Sequence, residues 1–323
     1  MARSRWPLYK FWWYSRQLAE YMMPRSYYRR RLALWLQANG LPSQELAQRA
    51  AYYCQPRASS RLSTKTTSIR DFKFPLGERQ RHSGPFFDLY LVLRYFDGGL
   101  RFDYFLTDLA QELPTLGFAK SRPIGLEGSN TVLLNLDSLR HFHFIEDRRP
   151  YASKYDQLVS RNVARQAHRR QFLEACFGAP LCDVGQVNRD TNCDHPEWVK
   201  PYMPEAAQLN YKFIACIQGN DVATNLKWVM ASNSLAVMPK PTVESWFMEG
   251  TLRGGVHYVE VKADFSDVQT KIAYYLAHPR EAEAIIERAH AHVAQFANPR
   301  LERAIALRVA ANYFLASGQQ LEP

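Results

Sequence analysis

Residues 213–241 read FIACIQGNDVATNLKWVMASNSLAVMPKP, and strand, turn, helix and strand signals follow one another there without interruption. Residues 213–218 form a short apolar run typical of a strand buried on both faces of a parallel sheet, and residues 234–238 form a second such run. A helix is predicted between the two. The stretch therefore predicts a β-α-β unit and, with it, an α/β fold.

The start of that predicted helix is a candidate seat for a phosphate. A glycine permits a tight turn, and an asparagine or aspartate can cap the helix. Free first-turn amides and the helix macrodipole favour an anion there, and a lysine one turn on can add a full charge. The predicted contact residues are Gly219, Asn220, Asp221, Val222, Ala223, Thr224 and Lys227. The alternative is an ordinary buried β-α-β unit with a solvated lysine.

The runs GNDVATNLKW, SNSL, MPKP, ESWFMEG, VHYVEVK and DFSDV resemble the C-terminal half of glycosyltransferase family 90. That family includes bacterial lipopolysaccharide-biosynthesis transferases, eukaryotic protein O-glucosyltransferases and fungal capsule-associated proteins, and the similarity is greatest to the bacterial branch. It is strongest over residues 161–267 and extends weakly back to residue 86. The resemblance implies inverting, metal-independent transfer of a hexose or pentose from a nucleotide-sugar donor, expected to be a UDP-sugar, to lipopolysaccharide, lipooligosaccharide or another envelope glycan.

The net charge narrows the possible partners. The chain has 323 residues, 46% of them hydrophobic and 22% charged, with a net charge of +10, which suits a globular protein with an acidic partner. Nucleic acid, an anionic membrane surface and a phosphorylated substrate all qualify. A nucleic-acid-binding protein is the least favoured class, because no helix-turn-helix or zinc-finger spacing occurs.

The cysteines predict neither disulfides nor a metal site. Five cysteines without a C-x-x-C pair fit a reducing cytoplasm. The nearest approach to a ligand cluster is Cys193, Asp194 and His195, whose adjacent side chains are awkward for a single ion. We therefore expect no metal and no cofactor other than the nucleotide-sugar co-substrate.

Residues 1–36 are basic and aromatic, and charged residues interrupt them throughout. They lack the continuous apolar core of a signal peptide or a membrane span, so a cytoplasmic protein is expected. Trp12 and Trp13, interleaved with Lys10 and Arg16, suit the headgroup zone of a bilayer and predict peripheral attachment to the inner membrane. The alternative is a helix packed on the fold with a charged outer face.

Changes in composition divide the chain into four segments. Residues 1–70 are predicted to be basic aromatic helices and a connector, and residues 71–152 an acceptor-side α/β domain. Residues 153–300 are predicted to form a Rossmann-like nucleotide-sugar domain, and residues 301–323 a C-terminal helix. The C-terminal helices are expected on the surface, with Ser266 capping the first and Pro279 opening the second. The family resemblance implies the GT-B arrangement, two Rossmann-type domains facing across a cleft, flanked by N-terminal and C-terminal helices.

Further donor-binding candidates come from the resemblance. FAKSRPI, residues 118–124, resembles a family signature, and its Arg122 can fork onto a phosphate or carboxylate, the alternative being a surface arginine. In LVSRNVARQAHRR, residues 158–170, strand, turn and helix recur. Arg161 and Arg169 match family positions that line the nucleotide-sugar pocket, whereas Asn162 replaces a glycine and leaves the turn shape open.

Two further features bear on the donor. Ala223 and Asn225 stand where eukaryotic relatives carry a serine and an arginine, so one diphosphate contact is missing. Glu244 and Glu249, in PTVESWFMEG, can accept hydrogen bonds from ribose or sugar hydroxyls. Because of the missing contact, a catalytically silent nucleotide-binding or scaffold relative in envelope assembly is the alternative to an enzyme.

An inverting transfer needs one catalytic base. Asp108 closes the predicted strand LRFDYFLTD, residues 100–108, where a strand of the first domain should reach the cleft, and it is the first candidate. Asp103 is the second. Strand alternation sends residues 103, 105 and 107 to one face and 104, 106 and 108 to the other, so the two acids cannot share a surface. A turn cap is the alternative role for Asp108.

Overall fold

The computed structural model of the protein describes residues 6–74, 83–136, 138–142, 144–188 and 195–321. They form two compact units. Unit 1 comprises His141–Pro241 and Thr251–Gln295, with the beginning of the chain as far as Tyr9, and unit 2 comprises Lys10–Arg140, Thr242–Gly250 and Phe296–Pro323. The chain thus passes from unit 2 into unit 1 at His141 and returns to unit 2 twice.

The described ranges alternate helices with short strands. The helices are α1 (Trp6–Met22), α2 (Arg25–Arg29), α3 (Leu32–Gln37), α4 (Ser43–Tyr53), α5 (Ser83–Leu93), α6 (Ser138–His141), α7 (Ala167–Cys176), α8 (Glu205–Gln208), α9 (Leu226–Met230), α10 (Val268–Ala277), α11 (Pro279–Ala294) and α12 (Pro299–Ala316). The strands are β1 (Thr67–Ser68), β2 (Arg101–Phe102), β3 (Tyr104–Phe105), β4 (Gly117–Ala119), β5 (Ser121–Pro123), β6 (Thr131–Leu133), β7 (Tyr155–Asn162), β8 (Cys182–Gln186), β9 (Tyr211–Ala215), β10 (Leu235–Met238), β11 (Val243–Ser245) and β12 (Val259–Glu260). This mixture of helices with parallel sheets confirms the predicted α/β class.

Unit 1 is built on a parallel sheet of five strands in the order β12-β10-β9-β7-β8. Phe213 of β9 lies opposite Leu235 of β10, and α9 lies between these strands in the chain, which confirms the predicted β-α-β unit. The strand, turn and helix predicted around residue 160 are also present as β7 and α7. The next predicted strand is β8, which pairs with β7.

Burial explains why those strands were predictable. Apolar side chains on both faces of the sheet pack against α7, α10 and α11, so the strands read as continuous apolar runs. The core of unit 1 includes Leu158, Phe172, Phe213, Val237, Ile272 and Ile285.

Unit 2 contains three small sheets and a packed set of helices. The strands β3, β4 and β6 form a parallel sheet, while β1 pairs with β2 and β5 pairs with β11, both antiparallel. Helix α12 contacts α3, α4 and α5, and most of its side chains are buried. The expectation of a surface helix is therefore wrong for α12, whose alanines allow close packing on more than one side.

Two local expectations are also wrong. LRFDYFLTD is not one strand but two, because the ladder breaks at Asp103 and β3 already ends at Phe105. Asp108 thus lies in the loop after β3. The side chains of residues 106–108 therefore do not alternate between the two faces of a strand, contrary to the prediction. Ser266 does not cap α10, since its hydroxyl donates to Asp264 and Asp267 occupies the cap position. Pro279 opens α11, as predicted.

Helix α1 packs on α5 through aromatic rings. Trp13 and Tyr21 contact Phe87, and the hydroxyls of Tyr14 and Ser83 lie 2.9 Å apart. In the ranges that the structure covers, no helix combines the length and the apolar character that a membrane crossing requires.

Candidate functional site

The carboxyl edge of the unit 1 sheet contains a reversal of strand order. Numbered along the chain, the five strands of this sheet lie in the order 2-1-3-4-5, so the crossovers run in opposite directions on either side of the pair β7 and β9. In open parallel sheets, ligands bind outside the carboxyl ends of the strands at such a reversal. The segments that follow Asn162 and Ala215 form this edge.

Arg169 ties the two segments of this edge together. From the first turns of α7, its Nε donates to the carbonyl of Gln218 at 2.8 Å and its Nη2 to that of Ile217 at 3.0 Å. Its Nη1 donates to the carbonyl of Val163 at 2.9 Å. All three acceptors are neutral carbonyls, so they hold the guanidinium in place without cancelling its charge. Burial lowers the pKa of Arg169 from its usual value, but an arginine stays protonated.

Polar side chains close to Arg169 bridge the same edge. Gln166 Nε2 donates to Asn220 Oδ1 at 2.9 Å, and His168 Nε2 lies 2.8 Å from the carbonyl of Gln218. The Oε1 of Gln166 and the Oδ1 of Asn162 are buried without a hydrogen-bond partner in the described part of the chain. A buried acceptor left unpaired costs about 1–3 kcal/mol, so a ligand that donates to these oxygens would recover that energy.

The predicted helix start at residues 222–224 is wrong. Helix α9 begins only at Leu226, because the Asn225 side chain donates to the carbonyl of Ala215 and Val222 and Ala223 are buried. Through these two buried apolar side chains, the segment packs into the interior of the protein. The amides of residues 222–224 are therefore not the first turn of a helix, and a helix of five residues has little macrodipole to offer an anion.

Gly219 has a different role from the one predicted. Its φ does not lie in the left-handed region, so the turn does not require a glycine for its backbone conformation. A Cβ at this position would lie 3.3 Å from Arg169 Nη2. The absence of a side chain thus lets the guanidinium approach. Asn162, which replaces the family glycine, likewise has no positive φ and simply ends β7.

Lys227 is fully buried within α9, so it is not a solvated lysine. Its positive charge acts on the thiol of Cys216, the residue directly after β9, although burial still raises the pKa of that thiol. Lys227 thus lies in the first turn of the helix that follows β9 in the chain.

Arg161 of β7 binds Asp183 of β8, the neighbouring edge strand of the sheet. Its Nη2 donates to Asp183 Oδ1 at 2.8 Å, and its Nη1 donates to the Asp183 carbonyl at 2.7 Å. Lys200 and Tyr211 also donate to the Asp183 carboxylate. Burial alone would raise the pKa of Asp183, but the hydrogen bonds from Lys200, Tyr211 and Arg161 lower it to about 2. Arg161 is thus engaged in an ion pair with Asp183, and its contact with the donor stays a prediction.

In unit 2, Arg122 and Glu244 bind each other. Arg122 Nε donates to Glu244 Oε1 at 2.8 Å, and its Nη2 donates to the carbonyl of Tyr52 at 2.8 Å. The hydroxyl of Tyr52 donates to the second oxygen of Glu244, and burial raises the pKa of that hydroxyl. Arg122 is therefore not a surface arginine. Its guanidinium does bind a carboxylate, as predicted, but this carboxylate is that of Glu244 and not that of a ligand.

Glu249 is also engaged within unit 2. Its carboxylate accepts from the amide of Ser245 at 2.6 Å and from the hydroxyl of Ser245 at 2.9 Å, and the side chain is buried. Like Glu244, it already receives protein donors. These contacts make both glutamates supports of the local fold, and their role as acceptors for sugar hydroxyls stays a prediction.

The two candidate bases differ in environment. Asp108 lies in a partly exposed loop, and its Oδ1 lies 2.5 Å from the Nζ of the buried Lys120. Asp103 Oδ2 accepts from the amide of Ser63 at 3.0 Å and from the hydroxyl of Thr115 at 3.3 Å. Asp103 thus braces two loops, whereas Asp108 retains contact with solvent.

Comparison with known proteins shows the family of this chain. Residues 141–300 match the family model described as glycosyl transferase family 90. A protein of Dichelobacter nodosus named "O-glucosyltransferase LpsA" is 45% identical over 250 residues, which cover 77% of this chain and 76% of that protein. The chain belongs to glycosyl transferase family 90. The family resemblance inferred from the central motifs is thereby confirmed, and the protein is a glycosyltransferase.

One polar residue of this family 90 glycosyltransferase escaped sequence reasoning. Gln166 occupies the cap position of α7 and reaches Asn220 across the strand-order reversal. The sequence feature that could have identified Gln166 is its position directly after the turn that follows a predicted buried strand. The residues of this segment that match family positions are the charged Arg161 and Arg169.

In the described ranges, the side chains that commonly bind metal ions are not clustered. No group of three His, Cys, Asp or Glu side chains there is arranged to hold an ion. Residues 193–195 are the nearest approach to a ligand cluster in the sequence. Cys193 and Asp194 lie outside the described residues, and His195 Nδ1 lies 2.8 Å from the carboxylate of Glu197.

Proposed function

We propose that this glycosyltransferase binds a nucleotide-sugar donor at the carboxyl edge of β7 and β9 and transfers its sugar to an envelope glycan. The observation that carries the proposal is Arg169, whose guanidinium is fixed by neutral carbonyls at the strand-order reversal. A cation held this way is ready for an anionic group without first losing another ion pair. The diphosphate of the donor is such a group.

The neighbouring polar atoms suit the rest of the donor. Gln166 Oε1 and Asn162 Oδ1 are acceptors in need of donors, and a nucleotide sugar offers ribose and sugar hydroxyls. Lys227 adds a positive charge near the end of β9, while Gly219 keeps space beside Arg169. Arg161 supports the site indirectly, by fixing β7 to β8 through Asp183.

The proposed reaction is a single displacement with inversion at the anomeric carbon. An aspartate, first of all Asp108, accepts the proton of the acceptor hydroxyl while the oxygen bonds to the anomeric carbon and the bond to the diphosphate breaks. The nucleoside diphosphate leaves with its electron pair, stabilised by fixed cations without a metal. We include in the proposal the GT-B arrangement of two Rossmann-type domains, which this reaction class would use.

The name of the relative supports a choice of the first donor to test. Because the Dichelobacter nodosus protein is named an O-glucosyltransferase, glucose is the first sugar and UDP-glucose the first donor to test. The proposed acceptor is a lipopolysaccharide or lipooligosaccharide precursor at the cytoplasmic face of the inner membrane. The net charge of +10 favours such an anionic acceptor.

Thermal stabilisation across a panel of nucleotide sugars tests the donor site. A ligand that binds the folded state at 100 times its Kd stabilises it by about 2.7 kcal/mol, which is a measurable rise in Tm. We expect UDP and UDP-glucose to raise Tm more than the guanosine, cytidine or thymidine analogues. Absence of stabilisation by every nucleotide sugar would contradict the proposal.

Release of UDP in the presence of acceptor separates the enzyme from a silent relative. An active transferase releases UDP only when donor and acceptor are both present. Donor stabilisation without acceptor-dependent release would favour the alternative, a nucleotide-binding scaffold protein.

A further inference from the structure

Helix α1 carries an exposed apolar face that its own packing does not use. Phe11, Trp12, Leu18 and Met22 are 62%, 69%, 55% and 74% exposed. At 100° per residue, these side chains fall on one side of the helix, and the buried Gln17 falls on the other. Four large apolar side chains so exposed on one face mark a surface that a partner covers.

The opposite face fixes α1 to unit 2. Trp13 and Tyr21 pack on Phe87. At the C-terminal end of the helix, the buried Arg94 donates to the Glu20 carboxylate at 2.6 Å and to the Glu20 carbonyl at 2.9 Å. Tyr28 donates to the same carboxylate at 2.9 Å. The apolar face is thus held outward by a firmly packed helix.

The charge around this face decides what covers it. Glu20 is the one acidic residue in the sequence from residue 6 to residue 42, and Arg94 already neutralises it. The same segment contains Lys10, Arg16, Arg25, Arg29, Arg30 and Arg31, of which Arg29 pairs with Asp97 at 2.8 Å. A second copy of the chain would bring two such basic surfaces together, and they repel each other. A bilayer with anionic headgroups attracts the cations and accepts the apolar side chains.

We propose that α1 lies in the plane of an anionic membrane, with Phe11, Trp12, Leu18 and Met22 inserted at the boundary between headgroups and acyl chains. Aromatic rings are favoured at that depth, and the flanking arginines then meet lipid phosphates. This surface is distinct from the proposed donor site in unit 1. The inference goes beyond sugar transfer, because it concerns how the protein reaches its membrane.

Vesicle binding of the full chain, without donor or acceptor, tests this inference. Phosphatidylcholine vesicles with and without phosphatidylglycerol are compared. Because no transfer takes place, a negative result leaves the proposed transferase activity unaffected. We expect binding to the mixed vesicles that weakens as salt increases.

Paired variants identify the inserted face. Trp12→Ser combined with Leu18→Ser should weaken binding to mixed vesicles by at least about tenfold, because both side chains lose their apolar burial. Leu315→Ser is the matched control: Leu315 is 57% exposed, on α12, and its replacement should leave binding unchanged. Arg16→Gln combined with Arg30→Gln should cost roughly fivefold per arginine on mixed vesicles only.

Three results would overturn the inference. The first is undiminished binding by the Trp12 and Leu18 double variant. The second is an equal loss in Leu315→Ser. The third is a concentration-dependent dimer, seen by light scattering without vesicle binding and abolished in the double variant, which would assign the face to a second copy. Tm of every variant should match the wild type, since all the altered side chains are exposed.

Discussion

Arg122 and Glu244 lie directly opposite each other in the antiparallel pair of β5 and β11, and their side chains form an ion pair of 2.8 Å. Both are buried, and Tyr52 bonds to each of them. The pair therefore joins three distant segments of unit 2. A buried pair of this kind contributes little by its net Coulomb energy, but either partner alone would be an uncompensated buried charge.

Replacement of one partner should destabilise unit 2 strongly. We expect Glu244→Gln and Arg122→Met each to lower the free energy of unfolding by about 3 kcal/mol, because each leaves the other group buried without its counterion. The double variant should lose less than the sum. Urea unfolding of the four proteins in a double-mutant cycle measures the coupling. Additive single effects, or single effects below about 0.5 kcal/mol, would show that the two side chains act independently.

Arg169 should control donor affinity. Arg169→Ala removes a charge-assisted contact of about 1.5–3 kcal/mol, so the Kd for UDP-glucose should rise roughly 10-fold to 150-fold. Arg169→Lys should recover part of the affinity through its charge while losing the fork that holds Ile217 and Gln218. Arg170→Ala is the control, since Arg170 is exposed and makes a single long contact of 3.4 Å. Calorimetry that finds equal Kd values for Arg169→Ala and Arg170→Ala would remove Arg169 from the donor site.

Asp183 should make the free energy of unfolding depend on pH. Its folded pKa of about 2 lies below the usual pKa of 3.8 for a free aspartate, so the unfolded chain binds the proton first as the pH falls. The stabilisation is fully present above about pH 4 and is lost as the pH falls through about 2. Asp183→Asn should therefore unfold at lower urea concentration than the wild type at pH 7, and the difference should shrink toward pH 2. A difference that stays constant over this range would mean that Asp183 does not titrate as described.

Asp108 should act as the catalytic base. Asp108→Asn should lower the transfer rate by at least roughly 10²-fold, the usual effect of losing a general base, with donor affinity unchanged. Loss of the contact with Lys120 should also lower Tm. Lys120→Met is the control, because it breaks the same ion pair but keeps the carboxylate.

Comparison of three variants settles the assignment. If Lys120→Met loses as much activity as Asp108→Asn, the role of Asp108 is structural. If Asp103→Asn loses turnover and Asp108→Asn does not, the base is Asp103, although its contacts with Ser63 and Thr115 resemble those of a loop brace.

The strands of unit 1 were predictable, and the start of α9 was not. Phe213 and Leu235 begin continuous apolar runs, and burial on both faces of a parallel sheet leaves few other interpretations of such runs. The turn before α9 depends on the side chain of Asn225 reaching the carbonyl of Ala215. That contact competes with helix formation, and it cannot be inferred from the preference of an asparagine or aspartate for helix caps.

The local sequence pattern could not predict the hydrogen-bond partners of the candidate site residues. Arg122 and Glu244 are 122 positions apart, and Arg161 and Asp183 meet only because β7 and β8 are neighbours in the sheet. Sequence reasoning identified these arginines from their type and from the family resemblance. It assigned them to a ligand because the competing carboxylates become visible only when the strands are placed.

The position of α12 in unit 2 has a consequence for protein synthesis. Glu302 of this helix bonds to Arg49 in α4 and to the indole of Trp246, so unit 2 has its full set of contacts only when the last helix is available. Unit 1, by contrast, ends at Gln295. Chains usually fold from their N-terminus as the ribosome releases them. Here we expect the order to be inverted: the unit that contains most of the first 140 residues gains its full set of contacts only after unit 1 has been synthesised completely.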